Sequence, residues 1–183
     1  MEDRRRTDIK KGKKVNFEFL AGKREIPLEK ITSVSVIPFT KTGRIVCIDM
    51  ARGIDIPGGH MQCGENDVFT TATRECSEEA LVSFDKLYLI GFIKSDFYGK
   101  DEDKLTYIAV TTGIATKLDT FHPTDEAKAR FELSIEDFLD AYTAADPSLM
   151  ETMIYEAAKI LKSQDETFKL CPKVNSCFNQ HLR

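Results

Sequence analysis

The sequence predicts a mixed α+β fold, because short β-branched runs recur along the chain and are interleaved with stretches of helical periodicity. Residues 33–39 (SVSVIPF) read as a strand, Lys41-Thr42-Gly43 as its turn, and residues 44–49 (RIVCID) as the returning strand of a hairpin that leads toward Pro57. Residues 68–82 have helical spacing, with Asn66 or Asp67 placed to cap them. Residues 87–97 alternate in part and residues 105–114 are rich in β-branched and aromatic types, so two more strands are expected. Between them lies a polar loop, residues 98–104. Residues 127–133 form a further short strand. Ser134-Ile135-Glu136-Asp137 then resembles a capping box with Asp in place of the preferred Glu, which starts another helix. A last helix begins near Pro147 and runs to about Leu161, with Leu149, Met153, Ile154, Ala157, Ile160 and Leu161 on one stripe. No repeat divides the chain. The expected organisation is a basic, flexible segment over residues 1–20, one domain over 21–170 and a tail over 171–183.

Composition narrows the class of protein. A chain of 183 residues with 42% hydrophobic and 31% charged residues suits one globular domain. No run of eighteen apolar residues is present, and the first residues, MEDRRRTDIKKGKK, lack the apolar core of a secretory signal. The five cysteines are odd in number and scattered, which suits reduced thiols and a cytoplasmic location. Cys171, Cys177 and His181 do not have zinc-finger spacing and lack a fourth ligand. A net charge of −4 argues against a general nucleic-acid binder. The basic cluster Arg4, Arg5, Arg6, Lys10, Lys11, Lys13 and Lys14 runs the other way; a solvated tail is the expected reading, with RNA or polyphosphate steering less favoured.

Residues 58–82, GGHMQCGENDVFTTATRECSEEALV, carry the chemistry. With Glu75 as the reference on a helical wheel, Glu79 falls at about 40° and Glu78 at about 300°, so three carboxylates share one edge. Phe69, Ala72, Cys76 and Ala80 fall on a separate, packing face. Like charges at this spacing repel and call for a compensating partner, and a hard cation such as Mg²⁺ or Mn²⁺ takes oxygen ligands. The Pro57-Gly58-Gly59 turn lets the backbone approach a ligand closely. Arg74 can clamp a carboxylate with its planar fork. The competing reading is a merely solvated acidic face.

This segment resembles the Nudix box: Gly59, five residues, Glu65, and then Arg74-Glu75-Cys76-Ser77-Glu78-Glu79-Ala80 with Val82 at the final apolar position. Two departures stand out. Eight residues rather than seven separate Glu65 from Arg74, and Leu81 stands where the family has glycine. The extra residue is expected in the turn at residues 66–68, and the helix is expected to end another way, near Ser83.

The resemblance implies an α/β/α sandwich with a mixed central sheet and a hydrolase that cleaves the pyrophosphate linkage of a nucleoside diphosphate-linked substrate, a nucleoside triphosphate or a related nucleotide. It implies Mg²⁺ or Mn²⁺ held by Glu75, Glu78, Glu79 and the Gly59 carbonyl. It also implies a further acid before the strand that precedes the terminal helices, for which Glu126 is chosen over Asp125. Glu79 and Glu126 are both candidates for the general base, with Arg74 completing the catalytic set. His60, after the glycine turn, and Tyr98, in the variable loop, are candidate substrate contacts. The partner is a nucleotide-type small molecule, no membrane is involved, and a homodimer is compatible with the sequence. The alternative is a catalytically weak Nudix-fold module that binds nucleotide or regulates.

Overall fold

The structure is a computed structural model, and it describes residues 15–22 and 25–171. Among these residues, nine strands form one mixed sheet: β1 (Phe17–Ala21), β2 (Ile31–Phe39), β3 (Ile45–Met50), β4 (Gly53–Asp55), β5 (Gly58–His60), β6 (Val82–Phe84), β7 (Tyr88–Ser95), β8 (Thr106–Leu118) and β9 (Ala127–Leu133). The main order is β1-β7-β8-β2-β3-β4, with β5 beside β2, β6 beside β8 and β9 beside β3. Only the β2–β8 pair is parallel.

Side-chain alternation along the central strands separates two apolar layers. On one face, Val34, Val36, Phe92 and Ala109 meet Val68, Ala72 and Cys76 of the acid helix, which comprises α1 (Val68–Glu75) and a π-helical turn (Cys76–Ala80). On the other, Ile37, Phe39, Ile45 and Val110 meet Phe138 of α2 (Ile135–Ala141) and Met150, Ile154 and Leu161 of α3 (Pro147–Gln164). This is the α/β/α sandwich.

Most expected elements are present, with altered ends. The expected hairpin is corrected in its pairing: β2 and β3 meet at Phe39↔Ile45, while β2 pairs along its length with β8 and β3 with β9. Alternation marks a strand but is silent on its neighbour. Strands β4 and β5 carry no sequence signal, since GID and GGH have too little β propensity to register, and β6 begins at Val82, inside the stretch expected to be helical. Strand β1 lies in the segment expected to be a tail and pairs with β7 from Phe17↔Ser95 to Ala21↔Gly91. The seven basic residues of the leading segment lie outside the described residues, as do Cys177 and His181. Cys47, Cys63 and Cys76 are free thiols, and no described helix is long and apolar enough to cross a membrane.

Candidate active site

The acid helix starts where its local chemistry says it should. The Asp67 carboxylate accepts from Phe69 N at 2.8 Å and Thr70 N at 2.9 Å, satisfying two donors that the first turn leaves open. Ala72, Cys76 and Ala80 are fully buried, as the wheel requires. Phe69, on the same side of the wheel, is nevertheless 39% exposed at the helix start.

The helix ends differently from the expected run to Val82. After Glu75 it opens into the π-helical turn, in which Leu81 N donates to Cys76 O, and Val82 already belongs to β6. Leu81 takes the left-handed conformation, φ 53° and ψ 47°, at the position where the family has glycine. The missing glycine is answered from another strand. Arg130 of β9 donates from NH1 to Ala80 O at 2.8 Å and Leu81 O at 3.2 Å.

The extra residue before Arg74 does not separate it from Glu65. Arg74 Nε donates to Glu65 Oε1 at 2.8 Å, NH2 to the His60 carbonyl at 3.0 Å, and NH1 to Glu75 Oε1 at 2.7 Å and Glu78 Oε2 at 3.1 Å. Glu65 also accepts from Thr71 Oγ1 and Gln62 N, both at 2.7 Å. The hydrogen bond from Arg74 leads these contacts in holding the Glu65 carboxyl down at about 2. Thr71 was missed in the sequence, since a threonine six residues after a glutamate carries no signal.

The three glutamates of the helix do not share one environment. Glu78 is exposed, whereas Glu75 and Glu79 are buried against β5 at 8% and 3% exposure. Gly58 N donates to Glu79 Oε2 at 2.9 Å. A side chain at Gly59 would strike the Glu75 carboxylate, so only glycine fits there. Burial pushes Glu75 up, against the pull of Arg74. Burial pushes Glu79 further, to about 8, with the charge of Glu75 and the adjoining Glu126 carboxyl adding to it. Burial raises the Cys76 thiol as well, which leaves it a packing group.

Glu126, from the loop before β9, is therefore brought beside Glu79. Oε1 of Glu79 is buried with no hydrogen-bond donor among the described residues. Two adjoining carboxylates can be reconciled only by a shared proton or a cation. The donor set fits a hard divalent cation: an orphaned buried oxygen, two neighbouring carboxylates, and a glycine that leaves the approach open. Among the described residues no three acidic, histidine or cysteine side chains converge in metal-binding geometry. Arg74 engages Glu75 and Glu78 instead.

His60 reaches this cluster through its carbonyl, and Tyr98 lies in the loop after β7. His60 follows Gly59 in β5 and is exposed, and its carbonyl accepts from Arg74. Tyr98 stacks edge-on against Phe97 at 5.0 Å in the loop after β7. Strand β7 lies three strands from β5, roughly 14 Å at ordinary sheet spacing.

The NUDIX domain model matches residues 29–153, more than half of the chain and the whole of the acid helix, β5 and Glu126. The chain belongs to the Nudix family. Its fold is similar to that of a Bacillus subtilis pyrophosphohydrolase, with TM-score 0.59 and 20% identity over 81% of this chain and 91% of that one. It is also similar to the NUDIX domain of Shewanella oneidensis NrtR bound to ADP-ribose, with TM-score 0.55 and 12% identity over 69% and 87%. A Caenorhabditis elegans Ap4A hydrolase gives TM-score 0.55 and 15% identity over 73% and 98%. No curated protein matches the sequence significantly. At these identities the Nudix likeness of the solved structures speaks for the fold.

Proposed function

We propose that this chain is a metal-dependent Nudix hydrolase that cleaves the pyrophosphate linkage of a nucleoside triphosphate or related nucleoside diphosphate-linked substrate. The observation that carries the reading is the buried, donorless Oε1 of Glu79 beside Glu126 and Glu75. A buried carboxylate pair of this kind costs stability unless a shared proton or a bound cation neutralises it. Glu75, Glu79 and Glu126, with the Gly59 carbonyl and the exposed Glu78, would hold Mg²⁺ or Mn²⁺. That cation supplies charge neutralisation for the phosphate oxygens and acidifies a bound water.

The chain's own residues do the rest. Glu65 and Arg74 lock the rotamers of Glu75 and Glu78 and keep the His60 carbonyl in place, so Arg74 acts as a positioning residue. The proton of the attacking water passes to one member of the Glu79–Glu126 pair. The oxygen of that water joins one phosphorus, and the bridging oxygen departs with the other. The products are a nucleoside monophosphate and a phosphate-bearing partner, or a monophosphate and pyrophosphate.

A panel of nucleotides incubated with Mg²⁺ or Mn²⁺ and read by mass spectrometry tests this and identifies the cleaved bond. At least one member should be cleaved, and Glu79→Gln should lower kcat by about 10²-fold or more with the fold retained. One observation favours a second reading, a nucleotide-binding module: Arg74 holds Glu75 and Glu78 in the resting structure. Binding of panel members with no cleavage under either cation would establish that reading in place of the first.

A further inference from the structure

Arg130, a residue of β9, meets three main-chain carbonyls at and beside the end of the acid helix. Its NH1 donates to the carbonyls of Ala80 and Leu81, its NH2 to the Asp119 carbonyl at 2.9 Å, and its guanidinium lies 5.7 Å from the centre of the Phe121 ring. A cation at a helix C-terminus meets the carbonyls left open there and the negative end of the dipole. The planar fork suits several acceptors at once. Asp119 N donates back to Leu81 O at 3.0 Å, closing a small network around the strained leucine. The two ends of this link matter. Ala80 directly follows Glu79, and Arg130, in the middle of β9, lies four residues beyond Glu126, which immediately precedes that strand.

We propose that Arg130 is a positioning residue for the carboxylate site, tying the end of the acid helix to β9 and so holding Glu126 against Glu79. The inference rests on the reading of that site given above. Residues of the same region also pack by apolar contact, Ala80 and Val82 with Ala127 and Ala115. A helix cap with no wider role would act on stability alone. A positioning link acts on the geometry of the two carboxylates even in a fully folded protein.

The test uses the full chain and four variants: Arg130→Ala, Arg130→Lys, Leu81→Gly, and Leu81→Gly with Arg130→Ala. Mn²⁺ affinity is measured by electron paramagnetic resonance well below the melting temperature. Amide exchange over residues 124–129 is followed by mass spectrometry. Arg130→Ala should weaken Mn²⁺ binding about 10- to 100-fold, as loss of a group that orients ligands does, and speed exchange over that segment. Arg130→Lys should fall between, keeping the charge without the fork. Leu81→Gly alone should leave Mn²⁺ affinity unchanged. In the double variant it should restore the melting temperature but not the affinity. If Arg130→Ala matches the unmodified protein in affinity and exchange, or if Leu81→Gly restores the affinity together with the melting temperature, the proposal is overturned. If the unmodified protein binds no Mn²⁺ and cleaves no nucleotide, the hydrolase reading falls by itself. The exchange comparison then decides Arg130, faster exchange supporting the link and unchanged exchange removing it.

Discussion

Glu79 is a carboxyl in surroundings that suit its protonated form until a ligand intervenes. Its folded-state value of about 8 exceeds the ordinary 4.5, so between those values the folded protein holds a proton that the unfolded chain releases. Stability of the metal-free protein should therefore fall as pH rises through that window. Glu65 works in the opposite sense: held at about 2, it contributes fully above the ordinary carboxyl range and loses that contribution as pH falls below it. Urea unfolding in chelator at about pH 5 and about pH 8.5 separates the two, since Glu65 is ionised throughout that interval. The unmodified chain should lose stability across the interval and Glu79→Gln should lose less. Parallel pH dependences would mean that Glu79 is already ionised in the fold. The residue chemistry was well marked in the sequence, because Arg74, Glu75, Glu78 and Glu79 are neighbours on one helix. What could not be read was their difference in burial, which depends on β5: Gly58 N and Gly59 bury Glu79 and Glu75 and leave Glu78 outside.

At the scale of the element, the acid helix shows which boundaries are local. Its start depends on one side chain and the two amides that follow it, so the cap is legible from the sequence as Asn66 or Asp67; the structure selects Asp67, whose removal has a defined cost. Asp67→Ala should destabilise the protein by about 1 kcal/mol, read as a lower urea midpoint at unchanged slope. An unchanged midpoint would show that water replaces the cap. The helix end is not local. Leu81 adopts a left-handed conformation that costs a non-glycine residue roughly 1–2 kcal/mol, and the carbonyls beside it are met by Arg130, distant in sequence. No spacing rule connects residues 81 and 130. The same distinction holds for the strands. Residues 127–133 were found with both ends correct, because alternation and the Ser134 cap are local signals. The three-residue strand β5, on which the site depends, was read only as a glycine turn.

At the scale of the molecule, the two helical layers do different work, and the sheet stands between them. The layer carrying α2 and α3 is closed by the chain after α3, where Phe168 stacks edge-on against Phe39 at 5.4 Å and Cys171 N donates to Gly43 O at 3.0 Å. Gly43 has φ +74°, and a side chain there would strike the backbone of residues 169–171. Phe168→Ala should cost about 3 kcal/mol in denaturant unfolding, because it empties a buried aromatic site. It should leave Mn²⁺ affinity intact, since Phe168 packs on the face away from the acid helix. A loss of affinity matching the loss of stability would show that the layers are coupled through the sheet.

By itself the sequence determined the class of fold, the helix that carries the acids and the identity of those acids. These follow from periodicity, caps and spacing, interactions that span only a few residues. The tertiary structure decided the strand order, the burial of Glu75 and Glu79 against β5, the meeting of Glu79 with Glu126, and the capping of the helix by Arg130. Each of these joins segments far apart in the chain. Contacts of that kind are selected by the packing of whole layers, which local spacing does not encode.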